Sequence, residues 1–205
     1  MRGLIGKKIG MTRVFNSNGR AIAVTVIEAG PCEVIQVKTI ENDGYDSVQV
    51  GYREAKEKHL TKPLIGHFSK NSVSPKRILA EFSKVPSFDY KAGQIFNVGI
   101  FNEGDYVTVC GNSKGRGFSG TIKKYSFSQQ RKTHGQGDTH RHVGSIGAAS
   151  YPSRVWPGKK MPGRYGNKKV SVKSLEIVKV DKDNNQLLIK GSVPGSTNGI
   201  VVITR

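Results

Sequence analysis

Three histidines occur close together in the sequence, beside residues that could complete a catalytic or metal-binding group. A Ser-His-Asp group needs a structured nucleophile turn and a pocket, and a metal site needs several converging ligands on a braced scaffold. The surrounding sequence is rich in glycine and cations and indicates neither feature. We therefore interpret these histidines as donors to phosphate or stacking partners, and we expect no catalytic residue, metal or cofactor. The residues considered are His134, His140, His142, Asp138, Ser128 and Ser145.

A second candidate is the glycine-rich run 111–120, which reads Gly-Asn-Ser-Lys-Gly-Arg-Gly-Phe-Ser-Gly. Glycines let backbone N–H groups approach an anion, and Lys114 and Arg116 add positive charge. The run lacks the Gly-x-x-x-x-Gly-Lys-Ser/Thr pattern. Its dinucleotide-like glycine spacing also lacks the expected βαβ context and downstream acid. We interpret it as a contact for a polyphosphate backbone, and we expect no small-molecule substrate. Residues 118–125 predict a short helix that presents Lys123 and Lys124 outward.

Positive charge is concentrated around this run. Residues 111–170 hold thirteen lysines and arginines against a single acid, Asp138, so they carry +12 of the +18 net charge of the 205-residue chain. Each cation placed at a phosphate releases a condensed counterion, so this charge favours a polyanionic partner. Nucleic acid is favoured over an anionic membrane or an acidic protein surface.

Residues 126–169, called the extension below, have little hydrophobic periodicity and few apolar side chains. Such a segment cannot offset its ordering entropy by burying a core of its own, so we expect it to be disordered alone and ordered by a partner. A solvated linker is the alternative, although a linker needs neither a tryptophan nor so one-sided a charge. Rings are spaced among the cations, as expected where they stack on unpaired bases. The aromatic residues concerned are Tyr125, Phe127, Tyr151, Trp156 and Tyr165.

Short β-strands surround the basic stretch and must position it. Alternating and β-branched runs separated by Asn-Gly, Asp-Gly and Asn-Asn turns predict a mainly β protein built on a small antiparallel β-barrel. The predicted barrel domain comprises residues 1–53, 95–125 and 170–205, and it ends in a hairpin that turns at Asn198-Gly199. The predicted strands cover residues 4–15, 21–27, 34–40, 47–52, 106–109, 171–180, 186–190 and 200–203.

The sequence of residues 54–94 predicts a mixed α/β insertion. Charges of both signs are mixed along it. A short helix is expected over 63–68, with proline in its first turn, and a strand over 78–82. His59 and His67 have no ligand partners at metal-site spacing, so we interpret them as surface or capping residues. The insertion is therefore expected to decorate the barrel.

Cysteine usage and hydropathy limit the class of protein. Cys32 and Cys110 are isolated, which predicts two reduced, partly buried thiols. No apolar run approaches the ~20 residues of a membrane span, and the first residues lack the features of a signal peptide. We expect a soluble, cytoplasmic protein that does not bind membranes.

Several motifs occur in the order of a known family. The opening run 3–15 reads Gly-Leu-Ile-Gly-Lys-Lys-Ile-Gly-Met-Thr-Arg-Val-Phe. The later motifs are Ser113–Phe118, His134-Gly135 with His140-Arg141, Gly144–Gly147, Pro157–Gly163 and Leu188–Gly195. Together they resemble the bacterial ribosomal large-subunit protein three family from end to end.

The resemblance implies a barrel similar to that of translation-factor second domains, seated on large-subunit rRNA near its 3′ region. It also implies an extension that reaches toward the peptidyl-transferase centre, an early role in subunit assembly, neighbouring large-subunit ribosomal proteins and no homo-oligomer. The extension tip follows the Gly-Ser-Ile-Gly motif and comprises Ala148, Ala149, Ser150 and Tyr151. Many members have a methylatable glutamine at the tip, which this sequence lacks, so the modification is not carried over. Pro162 replaces a usual alanine and should stiffen the returning arm.

Charge, ring content and the resemblance together predict one set of rRNA-binding residues. The set comprises Lys7, Lys8, Lys114, Arg116, Lys123, Lys124, Arg131, Lys132, His134, His140, Arg141, Arg154, Trp156, Lys159, Lys160, Arg164, Lys168 and Lys169.

Two other functions fit parts of the same pattern. A freestanding single-stranded RNA chaperone would also need cations and rings on a segment ordered by its partner. An RNA-modifying enzyme would use the histidines in general acid–base catalysis. Loss of chemical turnover on replacing His134 or His140 would favour the enzyme.

Overall fold

A computed structural model describes residues 3–86 and 88–205. The chain divides into two compact units. The barrel unit comprises the residues up to Ser113 together with Lys169–Arg205, and the basic unit is Lys114–Lys168. This division places Lys114–Tyr125 with the extension, whereas the sequence analysis grouped these residues with the barrel.

The described elements are short strands with a few single-turn and two-turn helices. The strands are β1 (Gly3–Phe15), β2 (Ala21–Ala29), β3 (Cys32–Lys38), β4 (Ser47–Glu54), β5 (Lys76–Ser83), β6 (Ile95–Phe96), β7 (Tyr106–Asn112), β8 (Phe118–Ser119), β9 (Gly163–Arg164), β10 (Lys169–Asp181), β11 (Gln186–Lys190) and β12 (Ile200–Thr204). The α-helices are α1 (Ile40–Asp43), α2 (Lys62–Lys70) and α3 (Thr121–Tyr125), and 3₁₀ turns occur at Glu57–His59 and Val98–Ile100.

Six antiparallel strands close the predicted β-barrel, in the order β1-β12-β7-β10-β11-β2. Buried and less buried residues alternate along β7, β11 and β12, as expected for strands with one face in a core. Register shifts in β1, between Lys8 and Gly10, and in β10, between Val172 and Leu175, let the longest strands bend around the barrel. The mainly β fold and the small barrel are thus confirmed.

Two predicted strand partnerships were wrong. The third and fourth strands, β3 and β4, were assigned to the barrel but belong to a separate four-stranded sheet of order β5-β4-β3-β6. The last strand, β12, was predicted to close a hairpin but pairs with β1 and β7. Alternation identifies a strand and its buried face, while its partner depends on where the connecting loops lead, which alternation does not encode.

The insertion packs on this second sheet through a small core of its own. Ile35, Phe68 and Val73 are buried together, with Leu60 and Leu79 packed against them. The predicted helix and strand are confirmed as α2, which has proline at its start, and β5. A larger core is shared by the barrel strands and the other face of the sheet. It includes Leu4, Val50, Phe82, Ile189 and Ile203.

The cysteines are free, as predicted. Cys32 is buried and its thiol donates to the Ile5 carbonyl across 3.5 Å, and burial raises the pKa of this thiol to about 11. Cys110 is half-buried. In the described ranges, no helix combines the length and apolarity that crossing a bilayer requires.

Candidate nucleic-acid interface

A short two-stranded ribbon forms the base of the basic unit. β8 pairs with β9, and the ribbon is prolonged by hydrogen bonds from Arg116 N to the Tyr165 carbonyl and from Tyr165 N to the Gly117 carbonyl, each 2.9 Å. Gly166 lies beside it with φ +73°, and a Cβ at this position would overlap the Lys114 carbonyl oxygen. Only glycine fits this approach, so the glycine-rich run is held as a folded ribbon.

The helix α3 follows the ribbon and carries adjacent lysines. It begins after Gly120 and ends at Ser126, whose φ of +58° terminates it. Lys123 and Lys124 lie in its last turn, where cations complement the helix C-terminus. The predicted helix over residues 118–125 is therefore shorter than expected, because Phe118 and Ser119 pair with β9 instead.

The basic unit has almost no core. Among residues 114–168, all of which the structure describes, the buried side chains are Ser119 and Thr121, and both are polar. Large rings remain in solvent: Phe118 is 80% exposed, Tyr151 86% and Trp156 57%. These rings cannot stabilise the unit by burial in the isolated chain, so they are available to a partner.

The charge of the basic unit is also strongly one-sided. The basic unit contains twelve lysines and arginines and the single acid Asp138. All five ion pairs between described side chains lie in the barrel unit, where they join Lys38 to Glu81, Arg53 to Glu28, Lys76 to Glu33, Lys190 to Glu176 and Arg205 to Asp105. The uncompensated charge creates a strongly positive potential along the unit.

Cations and rings are paired in two places. Lys124 and Lys160 place their ammonium groups 5.1 Å and 5.8 Å from the Tyr125 ring centroid, and the Phe127 ring centroid is 6.2 Å from that of Tyr125. The Arg154 guanidinium lies 5.1 Å from the Trp156 ring. Each arrangement offers a flat aromatic face next to a positive charge, which suits a base and its phosphate.

The histidines lie in a compact loop. Gln130 N donates to the His140 carbonyl across 3.1 Å, and His140 Nδ1 is 2.9 Å from the Arg131 carbonyl oxygen. His134 is exposed with φ +61°. No group of three or more metal-ligating side chains gathers within the part of the chain that the structure describes. The observed contacts give His140 a role in closing the loop.

The predicted tip is exposed along its whole length. Ser145 Oγ donates to the Gly147 carbonyl across 3.0 Å, and Ser153 Oγ donates to the Ser150 carbonyl, so short turns shape both sides of the tip. The four residues Ala148–Tyr151 are exposed, and Tyr151 is the most exposed large hydrophobic side chain described. The tip thus presents a ring beside small side chains.

Most predicted site residues are therefore exposed in one unit. Fifteen of the eighteen rRNA-binding candidates lie in the basic unit, and Lys7, Lys8 and Lys169 lie in the barrel unit. Lys7 is half-buried. Thirteen of the fifteen are exposed, whereas Lys124 and His140 are half-buried.

Lys8 has a different environment from the other candidates. It is only 9% exposed, and its ammonium group donates to the carbonyls of Val193 at 2.8 Å and Gly195 at 3.2 Å. These bonds fasten β1 to the segment before β12. The sequence motif did not distinguish this internal cation from its half-buried neighbour Lys7.

Sequence reasoning also missed two features. Phe118 was grouped with the helix, but the ribbon presents its ring to solvent; its position between Arg116 and Lys123 was the available signal. Three cations of the insertion, Lys56, Lys58 and Arg77, line one groove. No local sequence signal joins them, because β5 supplies Arg77 from a distant part of the chain.

Comparison with known proteins gives consistent matches. The family model described as "Ribosomal protein L3" matches residues 88–187. A protein of Petrotoga mobilis is 50% identical over 203 residues, covering 99% of this chain and 94% of its own length, and a protein of Thermotoga maritima is 49% identical over 99% of this chain and 96% of its own length. A protein of Brachyspira pilosicoli is 49% identical over the whole of this chain and 94% of its own length. All three relatives are named "Large ribosomal subunit protein uL3".

Proposed function

The chain belongs to the Ribosomal protein L3 family, and from this premise we propose that it is a structural protein of the large ribosomal subunit in the cytoplasm, bound there to rRNA. The observation that supports rRNA as its ligand is the basic unit, with twelve cations, one acid and two buried side chains in 55 residues. Such a unit gains its stabilisation from a polyanion that also offers surfaces for its rings.

In the proposed mechanism, the exposed lysines and arginines neutralise phosphates where RNA segments converge. The ribbon next to Gly166 lets the backbone approach the RNA closely, and Tyr125, Tyr151 and Trp156 stack on unpaired bases. No step requires proton transfer or a bound cofactor. The protein acts by holding RNA segments together.

The finer parts of the proposal concern location and timing. The barrel unit anchors the protein on the large-subunit rRNA near its 3′ region, and the extension, residues 126–169, passes between RNA segments toward the peptidyl-transferase centre. Neighbouring ribosomal proteins pack alongside, and binding occurs early in subunit assembly. The support is the family membership together with the separation of a well-packed unit from a highly charged one.

A deletion tests the role of the extension. Residues 127–161 are replaced by a short Gly-Ser linker, which retains α3 and both strands of the ribbon; Lys124 Nζ lies only 3.2 Å from where a Cβ on Gly163 would be, so the ends are close. We expect a folded barrel unit that no longer supports normal assembly of large subunits. Normal subunit profiles with this variant as the only copy would refute the proposal.

A charge-matched pair of variants tests the electrostatic mechanism. In one, glutamine replaces Arg131, Lys132, Lys159 and Lys160; in the control, it replaces the exposed barrel-unit lysines Lys62, Lys70, Lys91 and Lys182. Loss of four phosphate contacts should reduce the slope of log affinity against log salt by about 3 for single-stranded RNA. We expect this change in the first variant and almost none in the control. Equal slopes in the two variants would show that net charge alone governs binding.

A further inference from the structure

A groove on the insertion combines free cations with an apolar floor. It has a volume of about 630 Å³, within the range of sites that hold small ligands or single nucleotides. It belongs to the barrel unit and lies outside the predicted rRNA-binding set. Its lining comprises Glu54, Ala55, Lys56, Lys58, His59, Leu60, Leu64 and Arg77.

The groove is built on braced backbone. The 3₁₀ turn is closed by hydrogen bonds of 2.9 Å from His59 N to the Lys56 carbonyl and from Leu60 N to the Glu57 carbonyl. Leu60 also packs against the core formed by Ile35, Phe68 and Val73. The floor therefore keeps its shape without a ligand.

The cations approach this floor from two elements. Lys56 directly precedes the 3₁₀ turn and Lys58 lies within it, and Arg77 is on β5 directly after Lys76. Successive strand residues point to opposite faces, so while Lys76 bonds Glu33 at 2.8 Å, Arg77 is directed into the groove. Lys56, Lys58 and Arg77 are exposed, and no carboxylate of the described residues lies within ion-pair distance of them.

We propose that this groove binds a single-stranded segment of RNA, with one base on the Leu60 and Leu64 floor and the adjoining phosphates at Lys56, Lys58 and Arg77. The apolar floor and the exposed His59 ring suit a base better than they suit a duplex backbone, which offers phosphates alone. Glu54, the one carboxylate in the lining, repels phosphate but accepts a hydrogen bond from a base amino group. A strand whose bases carry an exocyclic amino group, such as cytosine, therefore matches the site.

The proposal extends the proposed function to a second RNA contact, on a different unit from the extension. An acidic protein segment would satisfy the cations but would leave the apolar floor without a base and would place its carboxylates beside Glu54. The apolar floor thus favours RNA. A synthetic oligo(C) of twelve nucleotides is a suitable probe. A polyglutamate peptide of equal charge is tested as the alternative ligand.

The test uses the full-length protein with labelled leucine and isoleucine methyl groups and follows Leu60 and Leu64 by NMR during titration. We expect their signals to shift with oligo(C), with a slope of log affinity against log salt of roughly −2 for three phosphate contacts on a single strand. The variant K56E/K58E/R77E should lose these shifts. The charge-matched control K62E/K70E/K91E should retain them, because these lysines do not line the groove.

Three outcomes would overturn the proposal: unchanged Leu60 and Leu64 signals when oligo(C) saturates the extension, equal shifts in the triple variant and its control, or tighter binding of polyglutamate than of oligo(C). Signals from the Ile146 methyl group, in the extension, are recorded in the same titration. Shifts at Ile146 without shifts at Leu60 would reject the groove and leave the proposed function intact. Absence of shifts at both would reject both.

Discussion

The barrel unit and the basic unit are parts of one chain stabilised by different means. The barrel unit contains both hydrophobic cores and all five described ion pairs, so its polar and apolar groups are largely satisfied internally. The basic unit has rings, cations and backbone turns but only two buried side chains. Under the proposed function, one part of this protein folds independently and the other depends on a polyanion.

The same comparison explains the difference in strand content. In the barrel unit every strand except β6 contributes buried side chains, so side-chain burial offsets the entropy of ordering the backbone. The ribbon of the basic unit is only two residues long on each strand. Short hairpins without a core are marginal in water, so the ribbon relies on its flanking hydrogen bonds and on Gly166.

The largest expected effect comes from truncating a core side chain. Ile189→Ala removes a fully buried side chain from β11 and should lower the free energy of unfolding by about 2–5 kcal/mol. Ile146→Ala, in the basic unit, removes a side chain that is 44% exposed and should change it by less than about 0.5 kcal/mol. Chemical denaturation measures both. Similar losses would mean that the basic unit has a stabilising core of its own.

Replacing Lys8 tests whether this cation stabilises the fold or binds RNA. Lys8→Met leaves the Val193 and Gly195 carbonyls without their charged donor and should cost about 2 kcal/mol of unfolding free energy. The salt dependence of the RNA affinity of this variant should equal that of the wild type. Lys7→Met, at the half-buried neighbour, should show the smaller loss of stability. A reduced salt slope in Lys8→Met would assign Lys8 to the RNA surface.

Gly166→Ala should affect RNA binding more than global stability. The new methyl group would clash with the Lys114 carbonyl and distort the ribbon at a cost of about 1 kcal/mol, which corresponds to roughly fivefold weaker RNA binding. Gly158→Ala is the matched control, because Gly158 has φ +82° but no neighbouring atom within 4 Å of an added Cβ. Filter binding compares their affinities. Equal losses of RNA affinity in the two variants would show that the positive φ of the glycine determines binding, and not its close approach to the Lys114 carbonyl.

The smallest effect is expected at a surface cluster on the second sheet. Lys38 and Tyr45 both donate to Glu81, and the hydrogen bond from Lys38 in particular lowers the pKa of the Glu81 carboxyl. A lowered folded-state pKa stabilises the fold above the unfolded value of 4.5, and this stabilisation is lost as the pH falls through the folded value.

Comparing wild type with Glu81→Gln isolates this contribution. The difference in unfolding free energy should be no more than about 1 kcal/mol at pH 7, since the pair is partly exposed, and it should decline below about pH 4.5. Denaturation at several pH values would detect it. A difference that does not vary with pH would contradict the assigned role.

Sequence reasoning identified the barrel strands because alternating residues such as Val107 and Val109 record which face is buried. It also identified α2 from a proline at the helix start. It placed β3 and β4 in the wrong sheet and closed a hairpin with β12 that does not form. In both errors the strand was found and its partner was not, because pairing is settled by contacts between segments far apart in sequence.

The sequence by itself determined where the charge lies, that residues 126–169 cannot form a core of their own, and to which family the chain is related. These properties are sums over residue types and need no coordinates. Only the tertiary structure decided that Lys8 is internal while Lys7 is not, that Phe118 belongs to a ribbon, and that Arg77 joins Lys56 and Lys58 around one groove. Those properties depend on which distant segments meet, and so the Gly111–Val170 stretch, though central in the sequence, is not the whole of the cationic surface.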